Sequence, residues 1–237
     1  MSESNPIKVA VVISAGAEWR AVRSFFKEVQ LEHSPFGEWF TGEVRVDDQP
    51  ERVVFCYGGW GKIAAAASAQ YIIDRWRPRG LINLGTCGGF EGAIETGAII
   101  LAEQTLVYDL IEQIGDQAAA IAHYTTHLDL SWLDEPYPQP VVRTRLVSAD
   151  RDLLAEDLPE LKSKYGAVAG DWESGAIAWV AQRNQTRCLI LRGVSDLVSA
   201  NGGEAYEGNK HVWETGTALV MRQLMEALPA WVSKVIR

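Results

Sequence analysis

Ionisable and glycine-rich stretches recur in this chain where apolar runs end: Ser14-Ala15-Gly16-Ala17-Glu18, Gly59-Trp60-Gly61-Lys62-Ile63-Ala64, Gly85-Thr86-Cys87-Gly88-Gly89, Asp171-Trp172-Glu173-Ser174 and Arg192-Gly193-Val194-Ser195-Asp196. Each admits a chemical and a plain structural reading. Consecutive glycines at 85–89 let a ligand approach the backbone, and their N–H groups can form a nest for an anion or a hydroxyl; the same residues also make a simple turn. Asp171 and Asp196 can serve a ligand or cap a helix, and Glu18 and Glu173 suit a helix's first turn through its dipole. Trp60 and Trp172 can stack on a planar base or fill core volume. The 59–64 stretch fits the loose G-x-G-x-x-G/A dinucleotide pattern, but the following strand ends in Asn83-Leu84 with no acid to hold a ribose. Cys56 and Ile63 break a P-loop pattern, so 59–64 reads as a tight turn packing a helix on a strand. His123 and His127 are four apart and could share a helix face; without an acidic partner or further histidine they read as a surface or core pair, not a metal site.

Composition narrows the classes. With 47% hydrophobic and 22% charged residues, the 237-residue chain is ordinary globular protein. A chain this long buries roughly 70–75% of its unfolded surface and needs no metal or disulfide staple. The formal net charge of −9 argues against nucleic-acid binding, while leaving a small neutral or zwitterionic partner open. Three widely spaced cysteines with no C-x-x-C pair suit neither a disulfide framework nor a zinc knuckle. The N-terminal stretch 1–6 is polar with no apolar leader core, and no segment approaches ~20 uninterrupted apolar residues. A soluble, cytoplasmic protein of one domain over residues 1–237 is expected.

The elements that must position these groups follow from hydrophobic period and breakers. Residues 7–13 read as a doubly buried strand, then 18–28 as a helix with Trp19, Val22, Phe25, Phe26 and Val29 inward. Strands are predicted at 38–46 and 52–57 around a turn at 47–50, and a helix at 63–76 that stops before Pro78. A strand at 80–84 ends in the 85–89 glycine loop, and further strands fall at 98–101 and 106–110. Residues 111–140 carry little pattern, and three prolines in 134–140 deny regular structure. A strand at 141–147, a helix at 153–165 interrupted near Pro159, a helix from Asp171-Trp172-Glu173-Ser174 to Ala181, a strand at 188–194 and a closing helix at 210–228 complete the chain. Strands alternating with helices imply a mostly parallel, helix-covered sheet, with ligands at the carboxyl ends of its strands: the loops 14–18, 58–62, 85–89 and 195–196.

Three stretches in this order give the chain a closer likeness. Residues Ile82-Asn83-Leu84-Gly85-Thr86-Cys87-Gly88-Gly89-Phe90, then Asp171-Trp172-Glu173-Ser174-Gly175-Ala176-Ile177-Ala178, then Arg192-Gly193-Val194-Ser195-Asp196 resemble the nucleoside phosphorylase/nucleosidase superfamily, most of all the methylthioadenosine/S-adenosylhomocysteine nucleosidases. The likeness runs from about Lys8 to Leu228. It implies a three-layer α/β/α sandwich with a mixed central sheet, no cofactor or metal, a homodimer or larger homo-oligomer, and cleavage of a purine N-glycosidic bond through an oxocarbenium-like sugar.

The resemblance also assigns roles. Asp196 matches the acid that protonates the leaving base at N7, a task that needs a raised pKa. Glu173 matches the acceptor of the ribose hydroxyls, and Glu18 with Arg192 the residues beside the attacking water. Gly85, Thr86, Cys87 and Gly88 would line the sugar side; Trp172, Asp171, Ser195 and Asp152 would complete the substrate pocket. Phosphorylases carry an arginine where this chain has Asn83, which favours water over phosphate as nucleophile, although Arg20 and Arg23 lie near another phosphate-binding position. Two departures bear on the substrate. Trp172 replaces a methionine, and Asp152 falls where the family's base-stacking phenylalanine should be, in Ser148-Ala149-Asp150-Arg151-Asp152. Methylthioadenosine, S-adenosylhomocysteine, futalosine-type nucleosides and plain purine nucleosides all remain open, as do phosphorolysis, a non-catalytic nucleoside-binding protein and a nucleotide-dependent oxidoreductase using the 59–64 loop.

Overall fold

A computed structural model describes residues 6–237, so positions 1–5 of the polar N-terminal stretch lie outside the described residues. In chain order its elements are β1 (Val9–Ile13), α1 (Gly16–Arg23), β2 (Glu32–Ser34), β3 (Gly37–Val46), β4 (Gln49–Tyr57), α2 (Gly61–Trp76), β5 (Gly80–Phe90), β6 (Ile99–Val107), α3 (Gln117–His123), β7 (Thr125–His127), β8 (Val142–Ser148), α4 (Leu158–Tyr165), β9 (Ala167–Asp171), α5 (Ser174–Arg183), β10 (Arg187–Ser199), β11 (Gly202–Gly203) and α6 (Lys210–Ile236). The continuous apolar runs are the strands buried on both faces, as the absence of alternation in them implies.

The strands form one mixed sheet ordered β11-β10-β6-β8-β9-β5-β1-β4-β3-β2, with β7 beside β6. Strand β5 also pairs with β10, so β5, β10, β6, β8 and β9 close on themselves while β1 to β4 extend as an open wing. The two-residue period of each strand divides its side chains between the faces. Val9, Val11 and Ile13 of β1 join Ile82, Leu84, Leu189 and Leu191 in one apolar layer under α1 and α6. Ala10 and Val12 join Leu81, Cys188 and Ile190 in the other, under α2 and α5. That is the expected three-layer sandwich. Helix α6 buries Val220, Met221, Leu224, Leu228, Trp231 and Val235, a stripe at helical spacing.

Several predicted boundaries move. The glycine stretch 85–89 is no loop: β5 runs through it, with Gly88 and Gly89 paired both to β9 and to β10. Glycine is required there because neighbouring side chains occupy the space; a Cβ on Gly85 would sit 2.2 Å from Arg192 Nη1 and 2.9 Å from Glu18 Oε1. Ser195 and Asp196 likewise lie inside β10, where the register with β5 slips between Val194 and Asp196. The strands expected at 98–101 and 106–110 are one strand, β6, over Ile99–Val107. Helix α1 ends at Arg23, α4 begins at Leu158 with Pro159 in its first turn, and α6 continues to Ile236 through Pro229. The turn after β3 is the two residues Asp47 and Asp48, both left-handed (φ 48° and 62°), as a tight hairpin demands. His123 ends α3 and His127 lies on β7, so they share no helix face.

Candidate active site

Glu18 stands in the first turn of α1, where its Oε2 accepts the backbone N–H of Ala15 at 3.0 Å. Its first-turn position is the expected one; the bond back to the N-cap residue is half of a capping box. Its Oε1 turns inward and accepts both the backbone N–H of Thr86 (2.6 Å) and the Thr86 hydroxyl (2.9 Å). Strand β5 thereby fixes the first loop to the middle of the sheet. Trp213 Nε1, in the first turn of α6, donates to the same Thr86 hydroxyl at 3.4 Å.

Arg192 is the hub. It projects from β10, is 1% exposed, and faces three carboxylates: Asp171 Oδ2 at 2.9 Å from Nε, Glu173 Oε2 at 3.4 Å from Nη2, and Glu18 Oε1 at 3.9 Å from Nη1. Nη1 also donates to the Thr86 carbonyl at 3.3 Å. Asp171 ends β9 and is held by the Ser148 hydroxyl (2.6 Å), the Ser174 hydroxyl (2.9 Å) and the Ser174 N–H, which joins the strand end to the start of α5. Its carboxylate is therefore occupied by protein groups as well as lining the cavity. Glu173 is 5% exposed, and its Oε1 accepts the N–H of Gly61 at 3.1 Å.

One buried guanidinium faces three buried acids, so the charges do not balance. Burial pushes Glu173 up to about 8 against the pull of Arg192, with the Asp171 and Glu18 charges adding to the rise. Burial also works against charge on Arg192, but the three carboxylates more than offset it.

Asp196 lies four residues beyond Arg192 on the same strand, past the register slip, which re-aims the side chain as a bulge does. It is 5% exposed. Burial raises its pKa; the Ser195 hydroxyl, donating at 2.6 Å, opposes this, and the charges of Glu204 and Asp152 reinforce it. A carboxyl whose pKa is raised by burial is better suited than an exposed one to donate a proton to a bound group.

The Arg192 cluster and Asp196 both line a cavity of about 590 Å³. Every expected site residue lines it except Gly85, which lies beneath Arg192. The Cys87 thiol lies 3.6 Å from the Gly193 carbonyl. Trp172 lines one wall and stacks on Trp60, ring centroids 4.8 Å apart at 21°. Asp152 is exposed at the rim beside Arg151. Of the residues held in reserve for phosphate, Arg20 lines the cavity, whereas Arg23 contacts Glu38 at 3.7 Å outside it and Asn83 is bonded within the sheet to the Val12 carbonyl.

Sequence reasoning did not find Tyr57, Tyr206, Lys210 or Trp213, which also line the cavity. They come from a strand end, an irregular turn and the head of α6, and none lies within a motif the sequence marked out.

The site combines a buried cluster of acids around one arginine, an aromatic wall and a second buried acid, Asp196, whose pKa is raised. A sequence profile of the Phosphorylase superfamily matches residues 8–227. The 5′-methylthioadenosine/S-adenosylhomocysteine nucleosidase of Thermotoga maritima is 26% identical over 159 residues, covering 66% of this chain and 71% of its own length. The nucleosidase of the same name from Marinomonas sp. is 20% identical over 236 residues, covering 92% and 98%. Among solved structures, that of the Neisseria meningitidis nucleosidase in complex with methylthio-immucillin-A superposes with a TM-score of 0.74 at 21% identity, covering 94% of this chain and 100% of its own.

Proposed function

The chain belongs to the phosphorylase superfamily, and from that premise we propose that it hydrolyses the N-glycosidic bond of a purine nucleoside of the methylthioadenosine or S-adenosylhomocysteine type, releasing the free base. One observation carries this reading: the two groups such a cleavage needs line the same cavity, the Glu18–Arg192–Glu173 cluster and the separately held Asp196. The names of the relatives agree with it.

The proposed roles are those the family resemblance implies, and the placement of these residues around one cavity supports them. As the glycosidic bond lengthens, negative charge grows on the base and positive charge on the sugar ring. Asp196, whose pKa is raised by burial, is the group that delivers a proton to N7 of the departing purine. Glu18 is fixed by Ala15 and Thr86 and has acceptor capacity left for a water, which it orients toward the anomeric carbon with Arg192 alongside. The anionic cluster also favours the developing cationic sugar. Glu173 accepts from the ribose hydroxyls, and Thr86, Gly85, Gly88 and Cys87 back the sugar. Trp172 offers its ring to the base, with Ser195, Asp171 and Asp152 completing the pocket. No cofactor or metal has a part in this scheme. The proposal treats residues 1–237 as one domain acting as a homodimer or larger homo-oligomer. It places the protein in the cytoplasm, a reading supported by three buried cysteines without disulfide partners.

The test is base release from methylthioadenosine, S-adenosylhomocysteine, adenosine, inosine, guanosine and uridine, with and without phosphate. Adenine release without phosphate is expected. Asp196→Asn should lose roughly 10²–10⁴ in kcat, the worth of a general acid. Strict phosphate dependence would overturn hydrolysis and make Arg20 the residue to change. Binding without release would leave a nucleoside-binding protein.

A further inference from the structure

We propose that the 59–62 loop, Gly59-Trp60-Gly61-Lys62, is the positioning and specificity element of this site, joining its sugar side to its base side; the inference rests on the nucleoside reading above. The sequence reads this loop as a turn that packs α2 on β4, and it does that: Gly58 N donates to the Ile13 carbonyl at 2.7 Å, and the Ser68 hydroxyl donates to the Gly58 carbonyl at 2.8 Å. Beyond that anchor, three successive residues each make a separate link to the cavity wall.

Trp60 stacks on Trp172, which stands between Asp171 and Glu173, the two acids nearest Arg192. Gly61 donates its N–H to Glu173 Oε1, the carboxylate assigned to the ribose hydroxyls. Lys62 donates its N–H to Asp150 Oδ1 at 2.7 Å, and its Nζ is bonded to Asp109 and lies 3.9 Å from Asp150 Oδ2. Asp150 closes the triangle by donating its own N–H to Asp109 Oδ2 at 2.9 Å. The lysine thus locks the segment that carries Arg151, Asp152 and Leu153 into the cavity. Flanking glycines with φ of 81° and 82° let the chain present three consecutive groups to three partners, a path other residues rarely take.

An exposed lysine–aspartate pair would contribute little. This pair is only 20% and 17% exposed and ties three distant segments, so its removal frees the wall rather than one contact. Trp60 is 69% exposed yet lines the cavity, and burying so large a ring would stabilise the core more than leaving it at a mouth. Its stack instead stiffens the wall offered to the apolar face of the nucleoside. Trp60 is assigned as a specificity residue, and Lys62 as a positioning residue that touches no substrate.

The test compares Trp60→Ala, Lys62→Met and Lys62→Arg with the wild type on methylthioadenosine and adenosine, with Tm measured alongside. Trp60→Ala and Lys62→Met should each raise KM about tenfold, the scale of one aromatic or charge-assisted contact, while kcat falls less than about threefold. Lys62→Arg should recover most of the loss. KM within twofold of wild type in both variants, or a lower Tm with unchanged KM, would show the loop to be structural only and overturn the inference. So would a fall in kcat at constant KM. If the wild type cleaves neither nucleoside, the hydrolase reading fails by itself. The loop is then judged by calorimetric Kd for adenosine: tenfold weakening in the variants supports it, and unchanged Kd or no wild-type binding overturns it.

Discussion

Three carboxylates around one buried guanidinium cannot all keep their charge cheaply, and Glu173 is where the imbalance is taken up. Its folded pKa of about 8 lies above the ordinary value of 4.5. Between those values the folded protein holds a proton that the unfolded chain has released. The stabilisation is therefore complete below about pH 4.5 and is lost as pH rises through 8. Tm should accordingly fall between pH 5 and 9, and Glu173→Gln should flatten that slope; an equal slope in the variant would assign the effect elsewhere. At this scale the acids, the arginine and Trp172 were legible because they lie in short motifs at the ends of apolar runs. The partners that fix them were not. Gly61 is 112 positions from Glu173, Lys62 is 88 from Asp150 and Trp213 is 127 from Thr86, and no local period records such pairs.

Among the elements, β5 and β10 carry most of the site, and both run past the point where glycine and polar residues suggested they stop. Glycine is a breaker only where nothing else demands its small size. Here neighbouring side chains do: Val194 and Leu197 at Gly89, and Arg192 at Gly85. Strand β9, only five residues with a glycine among them, gave no pattern at all, and α3 and β7 lay hidden in the unreadable 111–140 stretch. The same close approach marks α6, where a Cβ on Gly216 would lie 2.2 Å from the Ser195 carbonyl oxygen, beside Asp196. In an unconstrained helix Gly→Ala stabilises by about 1 kcal/mol. Against fixed backbone the overlap should win, and Gly216→Ala is expected to cost about 1–3 kcal/mol in denaturant unfolding and to lower activity by displacing the bulge. A stabilised, fully active variant would contradict that packing.

For the whole molecule, the alternation of strand and helix predicted a mostly parallel, helix-covered sheet, since each strand's two faces must both be covered; the three layers around a mixed sheet were what the family resemblance implied, and the sheet is mixed. The closure of β5 onto both β9 and β10 was beyond such reasoning, because strand order is set by which buried faces meet across the molecule. Nine tryptophans are spread through the chain, and Trp60, Trp172 and Trp213 converge on the cavity. Two of these indoles lie stacked 4.8 Å apart, close enough for their electronic transitions to couple. The protein therefore carries a built-in optical gauge of its own occupancy. Titration with nucleoside should change the indole circular dichroism of the wild type and leave the Trp60→Ala spectrum nearly still, a readout that needs no label, no turnover and no second enzyme.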